Sequence, residues 1–482
     1  MILAVALIGM VVIASCAFIG RRRPSATLED WTVGQRNFGG IVTWFLMAGE
    51  SFTTFTFLAV AGLAFTSGAA ATYAIPYIPL SFIGLYFLGP KLWRLGKQHG
   101  YLTQADFFSE RYRSPLLGRI VAVVGVVFLL PYLQLQITGL GLIVELVTGS
   151  HQSGTLSMVV ATVLMVAFVL WSGIRGLAQT AYLKDALMIL AMIVLIIAVP
   201  VHYAGGIGAL FRTVSAHEPQ LLTLHSGPTD GIWWVSSVLI STIGSLFMTL
   251  PHLWPGLLAA RGPRTLRRNF TFLPLYQVVI ILPVIIGFTG VVALKKSTDG
   301  NDVLLTLAHG ALPDWLTGVI AVAAAASAMI PAAALCIGMS TLVAHNLLPT
   351  RTERTRLAIN HGTVLVAAGL ALTLGLTRPN ALANLLLLTF SGLAQLAPAL
   401  AAAVGRRRWL NATPALLGIV VGVGVVGLLT FDTAIPTHNV NVGIIGLVAN
   451  VVVAAAAQAV VILRSGSVQD ATRKAEASEV LA

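Results

Sequence analysis

Thirteen apolar runs, each about as long as a bilayer is thick, follow one another along this chain. That succession limits the folds open to it more than any motif does. A helix that crosses the hydrocarbon core needs about 20 mostly apolar residues. The runs lie near 1–20, 40–68, 71–90, 117–148, 155–173, 183–205, 231–254, 270–294, 315–348, 357–377, 380–404, 409–430 and 440–463. Several exceed one crossing, which implies tilt, breaks or extension into water. Charged residues make up 10% of the chain, against about 25% in an ordinary soluble domain. The expected fold class is an all-α polytopic membrane protein with thirteen transmembrane helices.

A formal net charge of +12 raises the question of nucleic acid, and its distribution answers it. Of the 29 Lys and Arg residues, 25 fall in alternate connections between the runs, and only Arg212, Lys295, Lys296 and Arg378 fall in the other set. Positive charge stays cytoplasmic, so the N-terminus is expected outside and the C-terminus inside. The basic charge reports topology, not a nucleic-acid partner. The opening run has its basic cluster, Arg21 to Arg23, after the apolar stretch. A signal peptide has the reverse order, so residues 1–20 are expected to stay as an extra N-terminal helix. The polar stretch 464–482 reads as a disordered cytoplasmic tail. Cys16 and Cys336 sit in apolar runs and read as small packing residues. No metal spacing, phosphate loop or nucleophile–base pair stands out, so neither a cofactor nor an enzymatic activity is expected.

Two runs are interrupted by polar or helix-breaking residues. The second, "WFLMAGESFTTFTFLAVAGLAF", carries a polar block from Gly49 to Thr54. The seventh ends "SLFMTLPHLWPGLL", with His252 between Pro251 and Pro255. Irregular backbone at membrane depth is tolerated only where it is buried or lines a water-filled site. The two runs are five spans apart, and an odd-numbered unit repeated in sequence returns inverted. Broken first helices in two inverted units are the best sequence pointer to a transporter's solute site.

Several strings carry a family resemblance. "VGQRNFGGIVTWFLMAGESFTTFTFLAVAGLAFTSG" (33–68), "YLTQADFFSERYRSP" (101–115) and "WSGIRGLAQTAYLKDALM" (171–188) resemble motifs of the sodium/solute symporter family. "LPHLWPGLLAARGPRTLRRNFTFLPLY" (250–276) is similar to the branch that includes monocarboxylate permeases. The resemblance runs from about residue 30 to residue 430. It implies a leucine-transporter-type fold with two inverted five-helix repeats, spans 2–6 (40–205) and 7–11 (231–404). One helix precedes them and two (409–463) follow. It also implies alternating access, with substrates that range from sugars to carboxylates across the family.

The resemblance further implies a sodium site built from backbone carbonyls at the first helix break, here Gly49 and Phe52, and a hydroxyl pair in span 9. Counting back from His345–Asn346–Leu347, that pair falls on Ile330 and Pro331, which bring no side-chain oxygen. The site therefore reads as degraded. Asp185 in span 6 fits the family pattern, whereas Lys184 replaces a usual hydroxyl. Some proton-coupled relatives in the wider superfamily put a lysine ammonium where sodium would sit. Lys184 can play that part, with protonation that follows the transport cycle, or it can snorkel to the cytoplasmic interface. Neighbours on a helix lie about 100° apart, so Lys184 and Asp185 need not pair.

Other polar residues within the spans are site candidates with structural alternatives. Glu50 is a gate or coupling candidate, or a cap on broken-helix amides. Gln134 and Gln136 cannot share a helix face; Gln136 is the choice for the cavity, because the resemblance places a polar side chain there. Thr249, His252 and Trp254 surround the second break, where tryptophan packing and a hydrogen-bonded histidine are the alternatives. Ser391 and Gln395 share a face and serve either solute binding or interhelical hydrogen bonding. The expectation is a multi-pass secondary transporter in a bacterial inner membrane, in contact with lipid and with no obligate protein partner. It would import a small organic solute, a monocarboxylate being one candidate, with H⁺ as coupling ion in preference to Na⁺. A Na⁺-coupled symporter of the same fold, or a membrane sensor with a separate signalling partner, are the alternatives.

Overall fold

The computed structural model describes residues 1–20, 27–149, 154–377, 382–405, 408–432 and 434–480. Every regular element among them is helical, and the only β pairing is an isolated parallel bridge between Phe38 and Ala260. Nine helical runs in this set are long and apolar enough to cross a membrane. Ile2–Ile13 and Gly231–Leu246 are apolar but shorter. Two of the nine runs each take in two of the expected spans. Residues 155–173 and 183–205 are continuous in one element, Gly154–Ala204, whose only non-helical residue is Gly173 (φ 51°, ψ −176°). At 1.5 Å per residue those 51 residues extend over twice the ~30 Å hydrocarbon core, so the turn at Gly173 is what folds the run back. Phe55–His99 is likewise one long run. Within it Gly68 has φ 56° and ψ −125°, and a Cβ there would lie 2.1 Å from the Leu221 carbonyl oxygen, so only glycine fits.

The last helix runs from Val442 to Val480. Alanine, glutamate, lysine and arginine are good helix formers, and hydropathy is blind to that propensity. The expected charge clusters at Arg21–Arg23, Arg378 and Arg406–Arg407 lie outside the described residues.

The centre of the molecule is the helix Asp314–Thr341, and its apolar window is buried throughout. Its run "AVAAAASAMIPAAAL" explains why. Small side chains let neighbouring helices approach closely where lipid supplies no hydrophobic drive. Against it pack Ile2–Gly20, Pro115–Thr148 and Gly154–Ala204. Cys336 lies on it, buried and free.

Both interrupted segments break as expected. The first is helical over Gly40–Ser51, extended at Phe52 (φ −95°, ψ 102°), and resumes as a π-turn at Phe55–Ala59 and an α-helix at Val60–Ser67. The second stops at Leu246 and resumes at Leu253. Between them Met248 takes a left-handed φ of 51°. That conformation is costly for a non-glycine residue, and two donors hold the Met248 carbonyl: Trp254 Nε1 at 2.7 Å and Gln104 Nε2 at 3.1 Å. The two segments are stitched where one begins and the other ends. Phe38 N donates to Ala259 O (2.9 Å) and Arg261 N donates to Phe38 O (2.8 Å).

Candidate functional site

The extended backbone at Phe52 leaves the last carbonyls of Gly40–Ser51 without helical partners, as at any helix end, and this end carries the negative pole of the half-helix. The Lys184 ammonium fills that position. Its Nζ donates to Gly49 O at 3.0 Å and to Phe52 O at 2.5 Å, and pairs with Asp185 Oδ1 at 3.1 Å. An ammonium has three N–H donors, so three acceptors satisfy it completely. Neither Lys184 nor Asp185 has any side-chain exposure, so Lys184 does not snorkel to the interface in this conformation. The two adjacent residues do pair: the long lysine stem spans the angle between their Cα–Cβ directions. Tyr276 donates its hydroxyl to Asp185 Oδ1 at 3.2 Å, while Asp185 Oδ2 has no partner among the described residues. Gly49 permits the approach, since a Cβ there would meet Ala181 Cβ at 3.3 Å.

The central helix passes both the first broken segment and the helix that carries Lys184. Ile330 and Pro331 are buried on it, and the hydroxyls of Ser327, Ser340 and Thr341 on the same helix are engaged elsewhere. Ser327 donates to Ala324 O (2.7 Å), Ser340 to Ile337 O (3.4 Å), and Thr341 bonds Thr32 (2.9 Å).

Between the two breaks lies a cavity of about 90 Å³. Its polar lining includes Glu50, Ser51 and Thr53 from the first broken segment, Ser245 and His252 from the second, and Tyr132. Phe82, Phe270 and Phe390 supply aromatic walls. Glu50 is 4% exposed and His252 3%, and Glu50 Oε2 and His252 Nδ1 have no partner among the described residues. Tyr132 meets the His252 ring edge-on at 5.5 Å.

Of the candidates taken from the sequence, His252 and Glu50 line this cavity, whereas the others lie outside its lining. Thr249 donates to Gly244 O (2.8 Å) and Trp254 to Met248 O, both across the second break. Gln136 Oε1 accepts from Thr54 N at 3.4 Å, just past the first break. Ser391 and Gln395 face the C-terminal helix. Ser391 Oγ donates to Asn441 Oδ1 (2.9 Å), Gln395 Nε2 donates to Gly443 O (3.0 Å), and Asn450 Nδ2 donates to Gln395 O (2.7 Å). Sequence reasoning missed Tyr276 and Tyr132. The available signal was a phenol inside each apolar run, since a buried tyrosine hydroxyl usually finds a partner.

The sequence profile of the sodium:solute symporter family matches residues 31–422. The chain belongs to the sodium:solute symporter family. This symporter is 35% identical over 442 residues, 88% of its own length and 90% of the relative's, to the uncharacterized symporter YhjB of Bacillus subtilis (strain 168). It is 28% identical to a monocarboxylate transport permease protein of Rhizobium johnstonii, covering 94% of this chain and 95% of that one. Its fold matches that of a Na⁺-coupled sialic acid symporter, solved substrate-bound and outward-open, with a TM-score of 0.79 over 95% of this chain and 98% of that one, at 14% identity. The nucleobase-cation-symport-1 family transporter Mhp1 matches at 0.56 and 14% identity, covering 90% and 94% of the two chains. Family and fold are those of multi-pass membrane transporters.

Proposed function

We propose that this symporter imports a small organic solute, with a monocarboxylate as the first class to try, and that a proton on Lys184 takes the place of sodium as the coupling ion. The observation that carries the reading is the Lys184 ammonium seated on the Gly49 and Phe52 carbonyls. These are the positions the family resemblance assigns to sodium ligands. The residues present do not fit a sodium ion: a cationic group already holds both carbonyls, and Ile330 and Pro331 add no side-chain oxygen. Protonated, Lys184 ties the first broken segment to the helix Gly154–Ala204. Deprotonated, it loses a donor and leaves Asp185 without its counter-charge, so the tie loosens. That gives a cycle of alternating access two states that a proton separates.

The matching topology is thirteen spans, two inverted repeats over 40–205 and 231–404, an external N-terminus and a cytoplasmic C-terminus in a bacterial inner membrane. The symporter relatives in Bacillus subtilis and the charge asymmetry support this placement. Proteoliposomes given separately imposed pH and Na⁺ gradients test the coupling. Uptake of labelled monocarboxylates under an inward proton gradient without Na⁺ is the expected result. Uptake that needs a Na⁺ gradient at fixed pH overturns it.

A further inference from the structure

Among the described residues, the cavity between the two breaks carries a carboxyl group and no Lys or Arg in its lining. An anionic solute recognised by charge would call for a guanidinium fork or an ammonium there. The other ionisable side chains described on its wall are His252, Tyr77 and Tyr132. Lys184, on the far side of the Gly49 peptide, has all three donors committed to Gly49, Phe52 and Asp185. The acceptor Glu50 Oε2 is buried and unsatisfied among the described residues, and a buried carboxylate is costly unless a donor or counter-charge meets it. What the chain does not supply, a ligand can.

The lining also carries aromatic rings among its aliphatic and hydroxyl side chains. Phe82 stacks with Phe270 at 6.1 Å, and Tyr77 meets Phe390 edge-on at 5.7 Å. Such rings accept an apolar body, and their faces attract a cation. We propose that the transported solute carries a protonated amino group and that Glu50 is its anchor. The inference rests on the cavity being the solute site of the symporter proposed above. A solute with both an amino group and a carboxylate satisfies both readings. Its ammonium donates to Glu50, and its carboxylate meets the hydroxyls of Ser51, Thr53 or Ser245.

The test is binding of a skeleton-matched series to the purified full-length protein. Alanine, lactate and propionate share three carbons; leucine, 4-methylpentanoate and isopentylamine extend the body. The amino members are expected to bind about 100-fold more tightly than their amino-free counterparts, as when a single hydrogen bond to a charged group is lost. Glu50→Gln is expected to erase most of that ratio. Tighter binding of propionate or lactate than of alanine overturns the inference, as does no binding by any member. So does a Glu50→Gln protein that keeps the ratio. Should Glu50→Gln fail to fold, the wild-type ratio and its partial retention in Glu50→Asp decide the matter. The two proposals fail separately. Uptake of propionate but not alanine under a proton gradient defeats the amino anchor alone, whereas Na⁺-driven alanine uptake defeats the coupling alone.

Discussion

Two ionic clusters stand at different depths in this molecule, and they are built on different principles. Lys184 and Asp185 have no exposure, and backbone carbonyls supply two of the lysine's three acceptors. The second cluster joins Asp106, His345, Asn346, Arg356 and Glu353, whose ionisable side chains are 15% to 41% exposed. It links the short helix Gln104–Tyr112 to the end of the central helix and the start of Glu353–Thr377. Asn346 Nδ2 donates to Asp106 Oδ1 at 2.7 Å, and His345 Nε2 lies 3.2 Å from the same oxygen. Arg356 reaches His345 Nδ1 at 2.6 Å. Arginine only donates, so Nδ1 accepts and Nε2 carries the proton given to Asp106. In the outer cluster each acid has several donors, so one can be lost. In the inner cluster a single ammonium holds both carbonyls, and it is the only charged donor to Asp185, beside the Tyr276 hydroxyl.

The largest expected effect therefore belongs to Lys184→Met. It strips two carbonyls and a buried carboxylate of their common donor, and breaking a buried pair from one side costs about 3–5 kcal/mol. Thermal unfolding in detergent should show a large loss, and Lys184→Met/Asp185→Leu should recover part of it, because no charge is then stranded. Proton-driven accumulation should vanish in both variants. Retained accumulation by Lys184→Met would make the lysine structural and remove the basis for proton coupling at that position.

Much of this contrast was legible in the sequence, but only in part. Both breaks are visible at Gly49–Thr54 and around Pro251, because polar and helix-breaking residues interrupt apolar runs. Lys184 stands out because charge at membrane depth is rare. Whether its ammonium reached the carbonyls or the interface was open, since a lysine stem can do either and the choice depends on where another helix breaks. Ser391 and Gln395 illustrate the opposite difficulty. Their shared face was readable, but the face points to the C-terminal helix, and periodicity carries no information about which neighbour a polar stripe meets. The break at Gly173 was legible as the end of the fifth apolar run, whereas the helix that resumes at once over 174–182 was not, because the polar residues there are as helical as their neighbours.

A smaller effect is expected from Asp106→Asn. Burial pushes the Asp106 carboxyl up, but hydrogen bonds from His345, the Leu102 amide and Asn346 outweigh it and hold the group below its ordinary value. A carboxyl lowered in the folded state contributes stability that is present above its unfolded value of about 3.9 and is lost as pH falls through the folded value. The Tm difference between wild type and Asp106→Asn should therefore be flat from pH 5 to 8 and shrink only in stronger acid. Its size should correspond to about 1–2 kcal/mol, because the introduced amide still offers an oxygen to the surrounding donors. A difference that varies between pH 5 and 8 would show that the outer cluster titrates in the working range, and the division between the two clusters would fail.

The smallest effect is expected from Lys296→Ala. Lys296 pairs with Glu218, and the contact is as short as those of Lys184, yet its side chain is 86% exposed. Water and salt screen such a pair, and both side chains remain solvated when it breaks. Lys296→Ala should leave Tm unchanged within error at any ionic strength. This pair isolates burial as the variable, because the same ammonium–carboxylate chemistry occurs at both places. A Lys296→Ala destabilisation approaching that of Lys184→Met would mean that contact distance, and not the loss of water, sets the strength of the inner cluster.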